Sequence, residues 1–381
     1  MRHALDQDLD RRSALAFLGA GAAWAAASPA LAQPSLFTEA DYARAIVIDA
    51  EGVVGGGDDE EKLSRDLVAT GMTAVSVTVG QVGNGPDRFE SVVGDIAKLN
   101  AFADAHSRSI RRVGRFADLA EAKASGRLGL IYNLQDTSAL DGDLSRIETL
   151  KGLGVRVIQL TYNKRGLSGD GCLEPGDAGV SDFGRQVIQQ LNAQKILLDL
   201  SHGGGRTIAE ATALTAAPPA VTHTGCRDLV DNPRNISDAL MRGVADKGGV
   251  VGVYIMSYLR SGVGGPALDP RREDLVAHLE HAVNVCGEDH IGIGTDGTVL
   301  PVTLDASTRA FLKRHYDDRV AQGVVTPGDG PEITNTIPEY NTSRRFLAIG
   351  QDLSRRGWST ARIEKILGGN FARLFKDVWG G

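Results

Sequence analysis

Short apolar runs rich in β-branched residues recur along this chain, and stretches of helical spacing separate them. The runs fall at 45–49, 73–79, 128–134, 155–161, 196–202, 220–223, 250–254 and 291–294. Largely apolar runs of four to seven residues predict strands buried on both faces. Between them, Ile147, Leu150 and Leu153 mark one helix. Phe183, Val187, Ile188 and Leu191 mark a second, and Val276, Leu279 and Val283 a third. Alternation of strand and helix predicts an α/β fold with a parallel sheet. Eight strands predict a closed (β/α)8 TIM barrel, whose active site forms where the strands end and the following loops begin.

The pattern changes beyond residue 303. The stretch to 381 reads as a separate helical region, a C-terminal extension of the barrel. Residues 323–339, rich in Pro, Gly and Thr, read as a loop or lid, and 363–375 as a closing helical segment. No internal repeat of 20–50 residues is visible, and the Gly55–Gly57 and Gly203–Gly205 triplets lack the spacing of a nucleotide-binding loop.

The first residues follow a different logic. Arg11 and Arg12 precede a mild apolar stretch that runs to Ala27, and Ala30, Leu31 and Ala32 fit a small-x-small cleavage site. Residues 1–32 are therefore expected to be a cleavable export signal of the twin-arginine type, with a Sec signal or uncleaved anchor as the alternatives. The mature domain, 33–381, is then periplasmic or secreted. The apolar stretch is too short and too rich in Ala and Gly for stable membrane insertion.

With 381 residues, 42% hydrophobic and 23% charged, the chain can bury a large core. Its net charge of −7, with no offsetting basic stretch, argues against a nucleic-acid partner. Cys172, Cys226 and Cys286 are too widely spaced for a disulfide framework and are expected to be inert thiols. One bridge, or a ligand role for Cys226 near His223, is the alternative.

The chemistry-bearing residues collect at strand ends. His202 and His223 close the fifth and sixth runs, and Asp296 follows the eighth. Two imidazoles at the ends of successive strands can hold one divalent ion. Asp296 then suits a general base, or simply a turn residue before Gly297. Glu51, Gln135 and Tyr162 fall on the same face. Arg234, on the loop after His223, is either a solvated loop residue or a fork for a substrate carboxylate.

At these residues the chain resembles the membrane (renal) dipeptidase family, zinc peptidases of the amidohydrolase superfamily. The similarity is carried by residues 153–163, Gly169 to Cys172, 179–188, and the two segments ending at His202 and Thr224. Arg234 with Asn235, Gly292 to Asp296 and Gly368 to Phe371 extend it across 45–375. The resemblance implies a barrel with two zinc ions bridged by a glutamate. It makes His202 and His223 ligands of the second ion, faces Arg234 to the substrate carboxylate, and has Asp296 shuttle the proton of the attacking water.

The chain also departs from the family pattern. Glu51 stands where the family has a histidine ligand, and Val53 where it has an aspartate. Gln135 replaces the bridging glutamate, and Tyr162 replaces a histidine that faces the scissile carbonyl. Val53 offers no donor atom, and a neutral amide does not offset two cations. A single Zn²⁺ or similar ion on His202 and His223 is expected, with Glu51, Gln135, Asp136 or Asp296 completing its shell. Tyr162 can still donate to an oxyanion.

The expectation is thus an exported, metal-dependent hydrolase that cleaves an amide bond in a small carboxylate-bearing substrate such as a dipeptide. Two others remain: the same barrel with changed chemistry (lyase, isomerase or ester hydrolase), and a non-catalytic binding protein. A homodimer is compatible with the resemblance.

Overall fold

All eight apolar runs become strands, and each pairs in parallel with the next. In chain order they are β1 (Ile48–Asp49), β2 (Ala74–Thr78), β3 (Leu128–Leu134), β4 (Val155–Gln159), β5 (Leu197–Asp199), β6 (Ala220–Thr224), β7 (Val250–Val253) and β8 (Ile291–Ile293). These come from a computed structural model, which describes residues 36–54, 59–83 and 85–380. The expected export segment lies outside the described residues. From Leu36 onward the chain forms one compact unit.

The last strand returns to the first. Ala50 N–H donates to the Ile293 carbonyl at 3.0 Å, and the closure continues where Gly297–Thr298 pairs in parallel with Gly52–Val53. Asp49 reinforces it, accepting from Thr295 N–H at 2.7 Å and the Thr295 hydroxyl at 2.6 Å. The architecture is the expected (β/α)8 barrel. One addition has no counterpart in the apolar pattern: Ile110–Arg112 pairs with β3 outside the barrel, followed by a helix at Phe116–Ser125.

The C-terminal region is helical, as expected, but it is not separate. The helix Asn370–Trp379 puts Phe371, Leu374, Phe375 and Val378 into one buried cluster with Ile48, Ala74, Leu197, Ala220 and Val250, residues that open their strands. It therefore plugs the end of the barrel opposite the strand C-termini. Gly292 makes room for it, since a Cβ there would stand 2.5 Å from the Phe371 ring. Asn370 ties the plug to β8 by donating to the Ile291 carbonyl at 2.7 Å.

The other end is covered differently. The helix Ala306–Ala321 buries none of its residues, and the 323–339 segment after it runs over the strand C-termini. Asn163 donates to the Val324 carbonyl at 3.0 Å, and Asn232 to the Pro327 carbonyl at 2.6 Å. No helix among the described residues is long and apolar enough to cross a membrane. The three cysteines are free. Cys226 is fully buried, with its thiol donating to the His278 carbonyl, so it serves the core and not the site.

Candidate active site

β5 ends at Asp199, and the chain turns so that His202 sits at φ 61°. A positive φ on a non-glycine residue carries strain and is typically held by its surroundings. Here the surroundings are Asn163, whose Oδ1 accepts from His202 Nδ1–H at 2.6 Å, and Tyr162, whose ring stacks on the imidazole at 4.2 Å. Asn163 uses its amide nitrogen on Val324, which leaves the oxygen for the histidine. His202 therefore carries its proton on Nδ1 and presents Nε2 as a lone pair.

His223 lies within β6 and is oriented by a parallel device. The Thr222 hydroxyl donates to Asp199 Oδ2 at 2.6 Å, so its oxygen accepts from His223 Nδ1–H at 2.9 Å. Asp199 also accepts from Ser201 N–H and from the Ser201 hydroxyl. Nε2 of His223, like that of His202, is buried without a protein partner. Burial holds both imidazoles well below their ordinary pKa, and the Arg234 charge adds to it, so both are neutral at pH 7.

Arg234 is not a solvated loop residue. It is 2% exposed, and its guanidinium lies 5.7 Å over the Tyr254 ring and 6.0 Å from that of Tyr258. Asn232 and Asn235 anchor the loop on both sides of it. Asn235 donates to the Val230 and Tyr258 carbonyls and accepts from the Tyr254 hydroxyl. One terminal nitrogen, Nη2, has no partner. A buried, unpaired guanidinium donor is costly unless an anion completes it.

Asp296 follows β8 at φ 54°, in the turn conformation that aspartate before glycine tolerates. The turn reading holds, and the turn directs the carboxyl into the mouth of the barrel. Burial pushes its pKa up to about 6 against the pull of Arg234 and Arg319. Glu51 is buried in the same mouth, accepting from Thr78 Oγ1 at 2.7 Å and hydrogen-bonded to the Gln135 side chain. Burial, and then the Asp296 charge, push the Glu51 pKa well above the ordinary value for a glutamate.

A family model for membrane dipeptidase (peptidase family M19) matches residues 47–311. The chain belongs to the membrane dipeptidase family. Among solved structures it is similar to an amidohydrolase from Pseudomonas aeruginosa, at 30% identity and a TM-score of 0.77, covering 90% of this chain and 99% of that one. An uncharacterized protein from the pqqA 5' region of Klebsiella pneumoniae is 24% identical over 69% of this chain and 87% of its own length. Dipeptidase tcpJ of Claviceps purpurea is 22% identical over 74% of this chain, but the match spans only 58% of that protein. Family membership gives this barrel the scaffold of a dipeptidase-like hydrolase, within a family of metallopeptidases.

Of the metal donors that the sequence resemblance implies, only half are present. The two free Nε2 atoms suit two ligand positions of one ion. The other half does not fit. Val53 is half-exposed with no donor, Gln135 is neutral, and Glu51 is engaged by the Thr78 hydroxyl and the Gln135 side chain. No group of three or more His, Cys, Asp or Glu converges as a metal cluster among the described residues. The donor set therefore fits one ion at most, not the two of the family pattern.

Asn163, Asp199, Tyr254, Tyr258, Arg319 and Asp329 join the site without having been singled out in the sequence. Arg319 donates from Nη2 to Asp329 at 2.8 Å, and Asp329 in turn accepts from the Tyr258 hydroxyl at 2.6 Å. A cleft of about 290 Å³ opens beside Tyr162, lined by Asp136, Thr161, Lys164, Arg165 and Val324. Asp136 is occupied there by Gly83 N–H and Ser138, so it does not join the histidines.

Proposed function

We propose that this protein is an exported hydrolase of the dipeptidase type that uses a single divalent ion on His202 and His223. Its substrate is a small molecule with a free carboxylate and an amide bond, such as a dipeptide. The observation that carries the reading is the set of unsatisfied groups in the mouth: two imidazole Nε2 lone pairs and Arg234 Nη2, each buried without a protein partner. A substrate carboxylate would complete Arg234 by charge-assisted hydrogen bonds. Zn²⁺ suits two neutral imidazoles, and an ion held there would supply Lewis acidity to a scissile carbonyl.

The residues of the chain account for the rest. Arg234 fixes the carboxylate end, which aligns the amide. Asp296, ionised above about pH 6, takes a proton from the attacking water as the water oxygen bonds to the carbonyl carbon. The Tyr162 hydroxyl donates to the resulting oxyanion. As the C–N bond breaks, Asp296 returns the proton to the leaving nitrogen, which departs as a free amine beside the new carboxylic acid. The test is hydrolysis by the mature chain, supplied with zinc or manganese, of a panel of L,L- and L,D-dipeptides. No amine released from any of them would reject the reading.

One observation favours a second reading. Glu51 is a buried carboxyl whose pKa is pushed well above its ordinary value, beside Asp296, raised only to about 6. Two carboxyls with separated pKa values form an acid–base pair, which suits an ester hydrolase, lyase or isomerase on the same barrel. An ester analogue turned over where the matching dipeptide is not would select it.

A further inference from the structure

The Tyr162 hydroxyl takes one hydrogen bond from the protein and gives none. Arg319 Nη1 donates to its oxygen at 3.4 Å, and among the described residues its own proton has no acceptor. The ring stacks on His202 with an interplanar angle of 25°, which orients the hydroxyl. A phenol is both donor and acceptor. With the acceptor side held by a guanidinium, the O–H remains for a group in the barrel mouth.

Arg319 comes from outside the barrel. It sits in the last turn of Ala306–Ala321, a helix with no buried residue, yet its side chain is only 17% exposed. Its other nitrogen is held by Asp329 at 2.8 Å and reaches the Tyr258 hydroxyl and the Val324 carbonyl at 3.4 Å each. Asp329 is fixed in turn by Thr326 N–H and Tyr258. The guanidinium is therefore clamped on one side and presented to Tyr162 on the other.

We infer that Arg319 is a positioning residue, holding and polarising the Tyr162 hydroxyl so that it donates to the tetrahedral oxyanion of amide hydrolysis. The inference rests on the dipeptidase reading. A neutral phenol is a weaker oxyanion donor than a cationic group, and a guanidinium on its oxygen strengthens the O–H as a donor. The covering helix thereby supplies the positive charge that a tyrosine lacks.

The experiment compares the mature chain with Arg319→Met, Arg319→Lys, Tyr162→Phe and the Arg319→Met/Tyr162→Phe double variant. Dipeptide kinetics are measured alongside calorimetric binding of a phosphinate dipeptide mimic and of a product amino acid. Arg319→Met should lower kcat by about 100-fold, the scale of one lost oxyanion donor, with KM nearly unchanged. Arg319→Lys should recover part of the loss, and the double variant should be no worse than Tyr162→Phe alone. Phosphinate affinity should fall with kcat, while the amino acid, held by Arg234, binds as before. Melting temperatures measured in parallel separate a loss at the site from a loss of folding, and Arg319→Lys, which keeps a cation beside Asp329, should melt closest to wild type.

Wild-type kcat and phosphinate affinity in Arg319→Met would overturn the inference, as would losses that multiply in the double variant. A wild-type chain that neither hydrolyses dipeptides nor binds the phosphinate would instead overturn the dipeptidase reading beneath it.

Discussion

The imidazoles of His202 and His223 meet edge to face, with ring centroids 4.9 Å apart, and each has its Nδ1–H committed to a different partner. Asn163 holds one and Thr222 the other, so both rings are fixed as neutral Nε2 bases before any ligand arrives. Second partners of this kind orient metal-binding histidines and tune their affinity.

The first prediction follows from that pairing. Purified protein should carry about one divalent ion, counted by plasma mass spectrometry, because two imidazoles make half of one tetrahedral shell. His202→Ala and His223→Ala should each lose it. Thr222→Val removes the acceptor for His223 Nδ1–H and should weaken zinc binding by about 10- to 100-fold without removing a ligand. Two tightly held ions per chain would contradict the donor set.

The second concerns pH. Asp296 has its pKa raised to about 6 by burial, and in the proposed mechanism it acts in its ionised form. Activity should therefore be full above about pH 7 and fall roughly tenfold per unit below pH 6 as the carboxylate is protonated. An unshifted aspartate would hold its rate down to about pH 4. Asp296→Asn should cost about 100-fold or more in kcat at pH 8 and flatten the acidic limb. A kcat profile level from pH 4 to 8 would remove Asp296 from the role of base.

The third concerns the carboxylate. Arg234 Nη2 lacks a partner, and its guanidinium lies against Tyr254 and Tyr258. Arg234→Met should raise KM by about 100-fold, equivalent to about 3 kcal/mol of charge-assisted hydrogen bonding. Arg234→Lys should recover little of it, since an ammonium cannot reproduce the planar fork. Amidated dipeptides give the decisive contrast. The wild-type chain should discriminate strongly against them, and Arg234→Met should not.

These residues differ in how far the sequence revealed them, and the differences have physical causes. The barrel strands were legible because burial on both faces leaves continuous apolar runs, and the site histidines because they close such runs. The pairing of Ile110–Arg112 was not, since two of its three residues are arginines. Arg234 was ambiguous because the sequence around it, Asn-Pro-Arg-Asn, is that of any polar loop. Asn232 and Asn235 bury it, and their partners Ser261, Pro327, Val230 and Tyr258 are distant in the chain or unrecognisable beforehand. Arg319 gave no signal at all. It lies on a helix without an apolar face, and only the chain's return over the barrel mouth brings it to Tyr162.

The last prediction tests the correction at the other end of the barrel. If the C-terminal helix were a separate appendage, deleting its contacts would leave the barrel intact. Instead Phe371 is fully buried against Gly292 and shares a cluster with residues from seven barrel strands, Ile48, Ala74, Ile131, Val157, Leu197, Ala220 and Val250. Phe371→Ala should therefore cost about 3–5 kcal/mol in unfolding free energy, read from denaturant midpoints, because a buried aromatic leaves a cavity that the closed barrel cannot collapse around. Gly292→Ala should destabilise as well, by forcing the Phe371 ring away from β8. Asp296 follows β8 by three residues, so a shift of that strand should also lower kcat in Gly292→Ala. A Phe371→Ala chain that unfolds at the wild-type midpoint would show that the barrel closes without its plug.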